Sequence, residues 1–118
     1  MTKQKKDMAS YLWDMLTEII FIENALKQGT IYDDLISRAV LRSFTVLGEA
    51  AKRVDETTRK MAADVPWQKI VDTRNFLSHE YEEINLQKIQ EIVDRHLPSL
   101  KQDLLVLYKT LTGTDYAH

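Results

Sequence analysis

Near the N-terminal end, apolar residues recur at Met8, Tyr11, Leu12, Met15, Leu16, Ile19, Ile20, Ile22, Ala25 and Leu26. That is the i, i+3, i+4, i+7 spacing of one helix face, and it predicts a helix from Asp7 to about Gln28, stopped by Gly29. The stripe widens between Ile19 and Ile22, so this helix should face two neighbours. Asp33 or Asp34 can open a second helix, with Leu35, Ile36, Ala39, Val40, Phe44, Leu47, Ala50, Ala51 and Val54 inward. Asp64, Val65 and Pro66 read as the start of a third, running from about Trp67 to Ser78. Polar residues from Glu80 to Asn85 break the pattern before a fourth helix from about Leu86 to Arg95. Pro98 starts or kinks a last helix carrying Leu100, Leu104, Leu105, Leu107, Tyr108 and Leu111. No segment alternates as a strand would. The expected fold class is all-α, a bundle of four to five helices with short connections.

Composition narrows this further. The chain has 118 residues, 44% hydrophobic and 29% charged, which suits one globular domain over residues 1–118. Residues 1–6, with Lys3, Lys5 and Lys6, read as a solvated basic tail or a basic patch, and the tail at 112–118 is expected to fray. Three glycines and two prolines are too few for the many turns of a β-sandwich. The absence of cysteine excludes disulfides, thiolate metal sites and a cysteine nucleophile. There is no long apolar run and no signal-like segment, so a soluble, cytoplasmic protein is expected, with no membrane partner. A net charge of −2 supplies no bulk attraction for nucleic acid.

One glycine stands out within a helix. Gly48 lies in the middle of the second stripe, where glycine costs about 1 kcal/mol relative to alanine. A close helix–helix approach would offset that cost, either within the chain or across a dimer.

Candidate chemistry is concentrated in Arg74-Asn75-Phe76-Leu77-Ser78-His79-Glu80-Tyr81. His118 is terminal, and His96 suits a helix junction, where the dipole favours it. In the motif segment, a cation, an amide, a hydroxyl, an imidazole and a phenol fall within eight residues. Asn75 and His79 are an i, i+4 pair on one helix face, whereas Arg74 lies about 140° from His79 around the axis. Two readings follow. Arg74 can pair with a carboxylate at a helix interface, with His79 a hydrogen-bonded helix-end residue. Alternatively, the segment performs phosphodiester chemistry. An imidazole can exchange a proton with a ribose 2′-hydroxyl or a leaving oxygen, and a guanidinium can hold the phosphate. Attack by the 2′-hydroxyl needs no metal, cofactor or protein nucleophile. It does need an acid and a base, which a dimer with two copies of His79 would supply. The sequence contains no His-Glu-x-x-His motif, Asp-x-Asp loop or glycine-rich phosphate loop. The segment is acidic, with Asp72, Glu80, Glu82 and Glu83 against Arg74. Contact with RNA would therefore draw on Arg38 and Arg42, or on Lys52 and Arg53. Tyr81, two residues past His79, can be a core anchor of the turn or an exposed phenol.

The pattern Arg-x4-His-x-Tyr at Arg74, His79 and Tyr81 resembles the HepT-like branch of the HEPN superfamily, the toxins of HepT–MntA toxin–antitoxin pairs. Residues from Tyr11 to Leu16 look like the opening helix of that family, and Val46-Leu47-Gly48-Glu49-Ala50-Ala51-Lys52-Arg53-Val54 is similar to its second-helix signature. Val65 to Val71 leads into Arg74-Asn75 in the same way, and Leu86 to Leu104 matches the closing segment. Four segments in this order are far more specific than Arg-x4-His alone. The chain departs from many relatives at Glu80, where they have glycine, and at Glu82-Glu83, where they have an aromatic-Gly turn.

The resemblance implies a homodimer of HEPN-type bundles whose motifs meet in a cleft. It implies a metal-independent endoribonuclease acting on RNA, with Arg74 and His79 catalytic, and Asn75 and Ser78 as supporting neighbours. It also implies a partner, a minimal nucleotidyltransferase antitoxin of MntA type. That enzyme would silence the toxin by transferring AMP from ATP to Tyr81. Against this stands a second expectation: a non-catalytic helical dimer that binds a nucleotidyltransferase or RNA.

Overall fold

The computed structural model describes residues 7–79 and 85–117, and the side chains of 7–74 and 85–117. Among the described residues the chain forms six helices and no strand. These are α1 (Met8–Gln28), α2 (Asp34–Arg53), α3 (Glu56–Lys60), α4 (Trp67–His79), α5 (Leu86–Arg95) and α6 (Leu97–Thr112). The all-α bundle expected from periodicity is present, with one short helix more than expected.

Asp7 caps α1, its carboxylate accepting from the Ser10 amide at 2.9 Å. The buried positions Leu12, Met15, Leu16, Ile19, Ile22 and Ala25 form the stripe, and α1 uses it against both α2 and α6. The helix stops at Gly29, whose backbone is extended rather than left-handed. Glycine is needed there for space. A Cβ would run into the Asp33 carboxylate, which accepts from the Thr30 amide at 2.8 Å and closes the turn into α2.

α2 returns antiparallel to α1, so that the Asp55 amide reaches the Met8 sulfur at 3.3 Å. Its buried set is rich in small residues: Ser37, Ser43, Gly48, Ala50 and Ala51 lie among Val40, Phe44 and Leu47. Small side chains let two helices approach closely, and α2 is packed by α1 on one side and α4 on the other. Leu35, expected inward, is instead 80% exposed, because it lies about 140° around the helix from Val40, off the buried stripe.

The additional helix, α3, is started by Asp55, whose carboxylate accepts from the Thr58 amide at 2.9 Å. It anchors the entry to α4. Arg59 donates to the Ala51 carbonyl at 2.9 Å, and its guanidinium lies 5.7 Å from the centroid of the Trp67 ring. Trp67 in turn donates its indole N–H to the Ala62 carbonyl at 3.2 Å. With Val65 and Trp67 both buried, the first turn of α4 is fixed on the bundle.

α5 and α6 are separated by His96 alone, and Pro98 occupies the first turn of α6, where its missing N–H costs nothing. Leu97, Leu100, Leu104 and Leu107 face the core, and Lys101 pairs with Glu23 of α1 at 2.9 Å. The segment after Thr112 does not fray as expected. Gly113, at φ 78°, turns the chain back and caps α6 through the Lys109 carbonyl. Tyr116 then stacks 4.4 Å from Trp13 and hydrogen-bonds Thr17 at 2.8 Å. An aromatic pair and a hydroxyl partner outweigh the mobility of a short tail. No described helix is long and apolar enough to cross a membrane.

Candidate active site

The site is built where α2 and α4 cross. Gly48 is buried at the crossing, and the backbone and root of Arg74 fill the space a side chain would need. A Cβ at position 48 would overlap the Arg74 Cβ, stand 2.9 Å from its Cγ and 3.2 Å from the Ile70 carbonyl oxygen. Of the two explanations open for Gly48, the close approach is therefore within the chain. Glycine removes the barrier to contact and lets Arg74 leave α4 directly over α2.

The far end of Arg74 meets the next residue of α2. Its Nη2 donates to Glu49 Oε2 at 3.3 Å, and the two side chains are 28% and 41% exposed. The guanidinium thus sits at the mouth of the seam, neither buried nor free in solvent. The carboxylate pairing foreseen as one reading of Arg74 is present.

The face of α2 that carries Glu49 also carries Arg38, Arg42, Lys52 and Arg53, all exposed, at helical spacing. Arg38 is paired with Asp34 at 3.0 Å, and Arg53 donates to the Glu49 carbonyl at 3.4 Å. These are the cations on which the acidic motif segment would depend for contact with an anionic polymer.

α4 continues without a break to His79, its last residue. Arg74 and His79 are therefore rooted about 7.5 Å apart along one helix and about 140° apart around it. Asn75 and Ser78 lie on the same helix, between Arg74 and His79. The side chains of Asn75, Ser78 and His79, and all of Tyr81, lie outside the described residues. His96 is exposed at the α5–α6 junction, as its sequence context suggests. It borders a cleft of about 360 Å³ between α4 and α6, which is lined also by Phe44, Leu47, Ile70, Ile92 and Leu100 but not by Arg74. Among the described residues, no group of three or more His, Cys, Asp or Glu side chains is placed to hold a metal ion.

Sequence reasoning did not single out Glu49 as a site residue. Its signal was its place directly after Gly48: a glycine that seats an arginine leaves its neighbour one residue around the helix, within reach of the same side chain.

The profile of the family described as Ribonuclease HepT-like matches residues 12–107, which span α1 through most of α6. The chain belongs to this family. Three similar proteins are of nearly the same length. One, named "Putative RNase MJ0127", from Methanocaldococcus jannaschii, is 30% identical over 115 residues, covering 94% of this chain and 95% of that one. Another, "Putative RNase TTE0752" from Caldanaerobacter subterraneus subsp. tengcongensis, is 31% identical over 98 residues, covering 80% and 88%. The "Probable ribonuclease HepT" of Thermococcus cleftensis is 27% identical over 101 residues, covering 82% and 92%. No solved structure matches the chain. The Gly48–Glu49–Arg74 seam thus lies within the HepT-like region, between the first helix and the closing segment.

Proposed function

We propose that this chain is the toxin of a type VII-like toxin–antitoxin pair and cleaves RNA as a metal-independent endoribonuclease. The observation that carries the reading is the Arg74 guanidinium, rooted on Gly48 and held at a solvent-facing seam five residues before His79, in a chain of the HepT-like ribonuclease family. Arg74 holds the scissile phosphate and stabilises the charge that accumulates on it in the transition state. His79 moves the proton. The 2′-oxygen attacks phosphorus, its proton passes to a base, and the 5′-oxygen leaves with a proton from an acid. The products are a 2′,3′-cyclic phosphate and a 5′-hydroxyl.

One His79 per chain supplies one of these proton carriers, so the working form is a homodimer with two motifs facing one cleft. Asn75 and Ser78 support the phosphate contacts. Arg42, Lys52 and Arg53 extend the cationic surface toward the rest of the RNA. A minimal nucleotidyltransferase of MntA type silences the dimer by joining AMP to Tyr81. In that step the phenol oxygen attacks the α-phosphate of ATP and pyrophosphate leaves.

The Arg74–Glu49 ion pair favours a second reading, in which Arg74 is structural and the dimer only binds a nucleotidyltransferase or RNA. Purified wild-type chain, Arg74→Ala and His79→Ala incubated with RNA separate the two. Loss of cleavage by about 10²–10⁴-fold in each variant, with helical content retained, is the expected result. Wild-type protein that leaves RNA intact, or variants that cleave at the normal rate, would overturn the nuclease reading.

A further inference from the structure

Two consecutive residues of α2 hold the two ends of one arginine. Gly48 receives Cβ and Cγ of Arg74, and Glu49 receives its Nη2 at 3.3 Å. We infer that Glu49 is the positioning residue of the site, fixing the Arg74 guanidinium in the orientation in which it meets the scissile phosphate.

Stability alone is a weak reason for this ion pair. With its side chains 28% and 41% exposed, it stands in the range where solvent screens most of the Coulomb attraction. A carboxylate beside a phosphate-binding arginine is also unfavourable for substrate binding, because it repels the incoming anion. What it does provide is order. An arginine side chain has many rotamers, and a guanidinium left to sample them meets the phosphate in the right plane only part of the time. Gly48 fixes where the side chain starts, and Glu49 fixes where it ends. The guanidinium is a planar, rigid fork whose Nε is buried, so a carboxylate on Nη2 fixes the plane of the whole group.

The consequence is a split in the kinetic constants that a purely structural role would not produce. Removing the carboxylate should relieve repulsion toward RNA while loosening the arginine. Thus KM should stay level or fall while kcat falls. Glutamine, which keeps an acceptor oxygen for Nη2, should preserve the orientation.

The inference rests on Arg74 acting at the phosphate, so the experiment includes controls for that reading. Cleavage of a single-stranded oligoribonucleotide is followed for the wild type, Glu49→Gln, Glu49→Ala, Arg74→Lys and the Glu49→Ala/Arg74→Lys double variant. Arg74→Ala and His79→Ala serve as references, and circular dichroism with thermal melting reports folding. We expect kcat to fall at least about tenfold in Glu49→Ala with KM not increased, and Glu49→Gln to stay within about threefold of wild type. In the Arg74→Lys background, Glu49→Ala should change kcat by less than about twofold, since its route through the guanidinium is already lost. Wild-type kcat in Glu49→Ala, or the same loss with and without Arg74, overturns the positioning role while Arg74→Ala and His79→Ala remain inactive. Cleavage that survives those two reference substitutions overturns the nuclease reading itself. A Glu49→Gln variant that loses as much activity as Glu49→Ala while melting at the wild-type temperature shows that the charge, not the orientation, matters, and also overturns it.

Discussion

Gly48 and Arg74 interlock: the missing side chain of one is the space occupied by the Cβ of the other. Because the clash involves atoms next to the α4 backbone, a methyl at position 48 cannot be relieved by swinging a flexible chain end. α2 and α4 must separate, or Arg74 must leave its seat. Gly48→Ala should therefore destabilise the fold by about 1–3 kcal/mol, the usual cost of overpacking, despite alanine's better helix propensity. Urea denaturation measures the first effect, and RNA cleavage measures the second. An equally stable Gly48→Ala protein with normal activity would show that the crossing has slack the geometry does not suggest.

RNA cleavage should persist in excess EDTA and leave 2′,3′-cyclic phosphate and 5′-hydroxyl ends. Attack by the 2′-hydroxyl needs proton transfer and charge stabilisation, which imidazole and guanidinium provide. End-group analysis of the products by mass spectrometry distinguishes cyclic phosphate from the 3′-hydroxyl and 5′-phosphate ends typical of metal-assisted hydrolysis. A strict requirement for magnesium would assign the chemistry to another mechanism.

Most of this fold was legible because it rests on periodicity. The stripes from Met8 to Leu26 and from Ile36 to Val54 are the faces that α1 and α2 bury, apart from residues such as Tyr11 and Ile36 left partly open at the edges. Single contacts decided what periodicity missed. A five-residue helix such as α3 is too short to show a stripe, and its one signal was the capping residue Asp55. The few residues of the C-terminal segment have no period to reveal packing, yet Tyr116 finds Trp13 across the bundle. Leu35 shows the converse: it is apolar, but at 100° per residue it lies about 140° from Val40 and opposite Phe44, off the stripe that α2 buries. At the candidate site, residue type and resemblance single out Arg74 and His79. The partnership of Arg74 with Glu49 depends on how α2 crosses α4, which no local pattern encodes.

The chain should be a homodimer in solution. Gly48 offers no support for this, since its space is taken within the chain. The basis is chemical: Arg74 and His79 stand about 140° apart around one uninterrupted helix, so a second copy is the simplest way to bring a guanidinium and two imidazoles to one phosphate. Sedimentation velocity at micromolar concentration should give a species near twice the chain mass. A dimer that mixes Arg74→Ala and His79→Ala chains holds a single His79 imidazole, so mixing the two inactive variants should restore no more than a small part of the activity. A monomer that cleaves RNA at full rate would exclude the shared cleft.

Tyr81 should be the switch. It follows His79 by two residues, just beyond the last residue of α4, and so close in sequence that a group added to it would lie near the proposed cleft. AMP joined to the phenol introduces a phosphodiester charge and a nucleoside. The phosphate is the kind of group Arg74 is proposed to hold, so it can occupy the guanidinium and exclude the substrate phosphate. The nucleoside adds bulk at the same point. One modification then both fills and neutralises the site, with no refolding required, and helical content should stay constant. Co-expression with a minimal nucleotidyltransferase of MntA type, followed by intact-mass and peptide mass spectrometry, should reveal AMP on Tyr81 and none in Tyr81→Phe. The Tyr81→Phe variant should also cleave RNA normally and resist silencing by the nucleotidyltransferase. Full neutralisation of a chain whose Tyr81 remains unmodified would transfer the inhibition from chemistry at the phenol to steric binding of the partner.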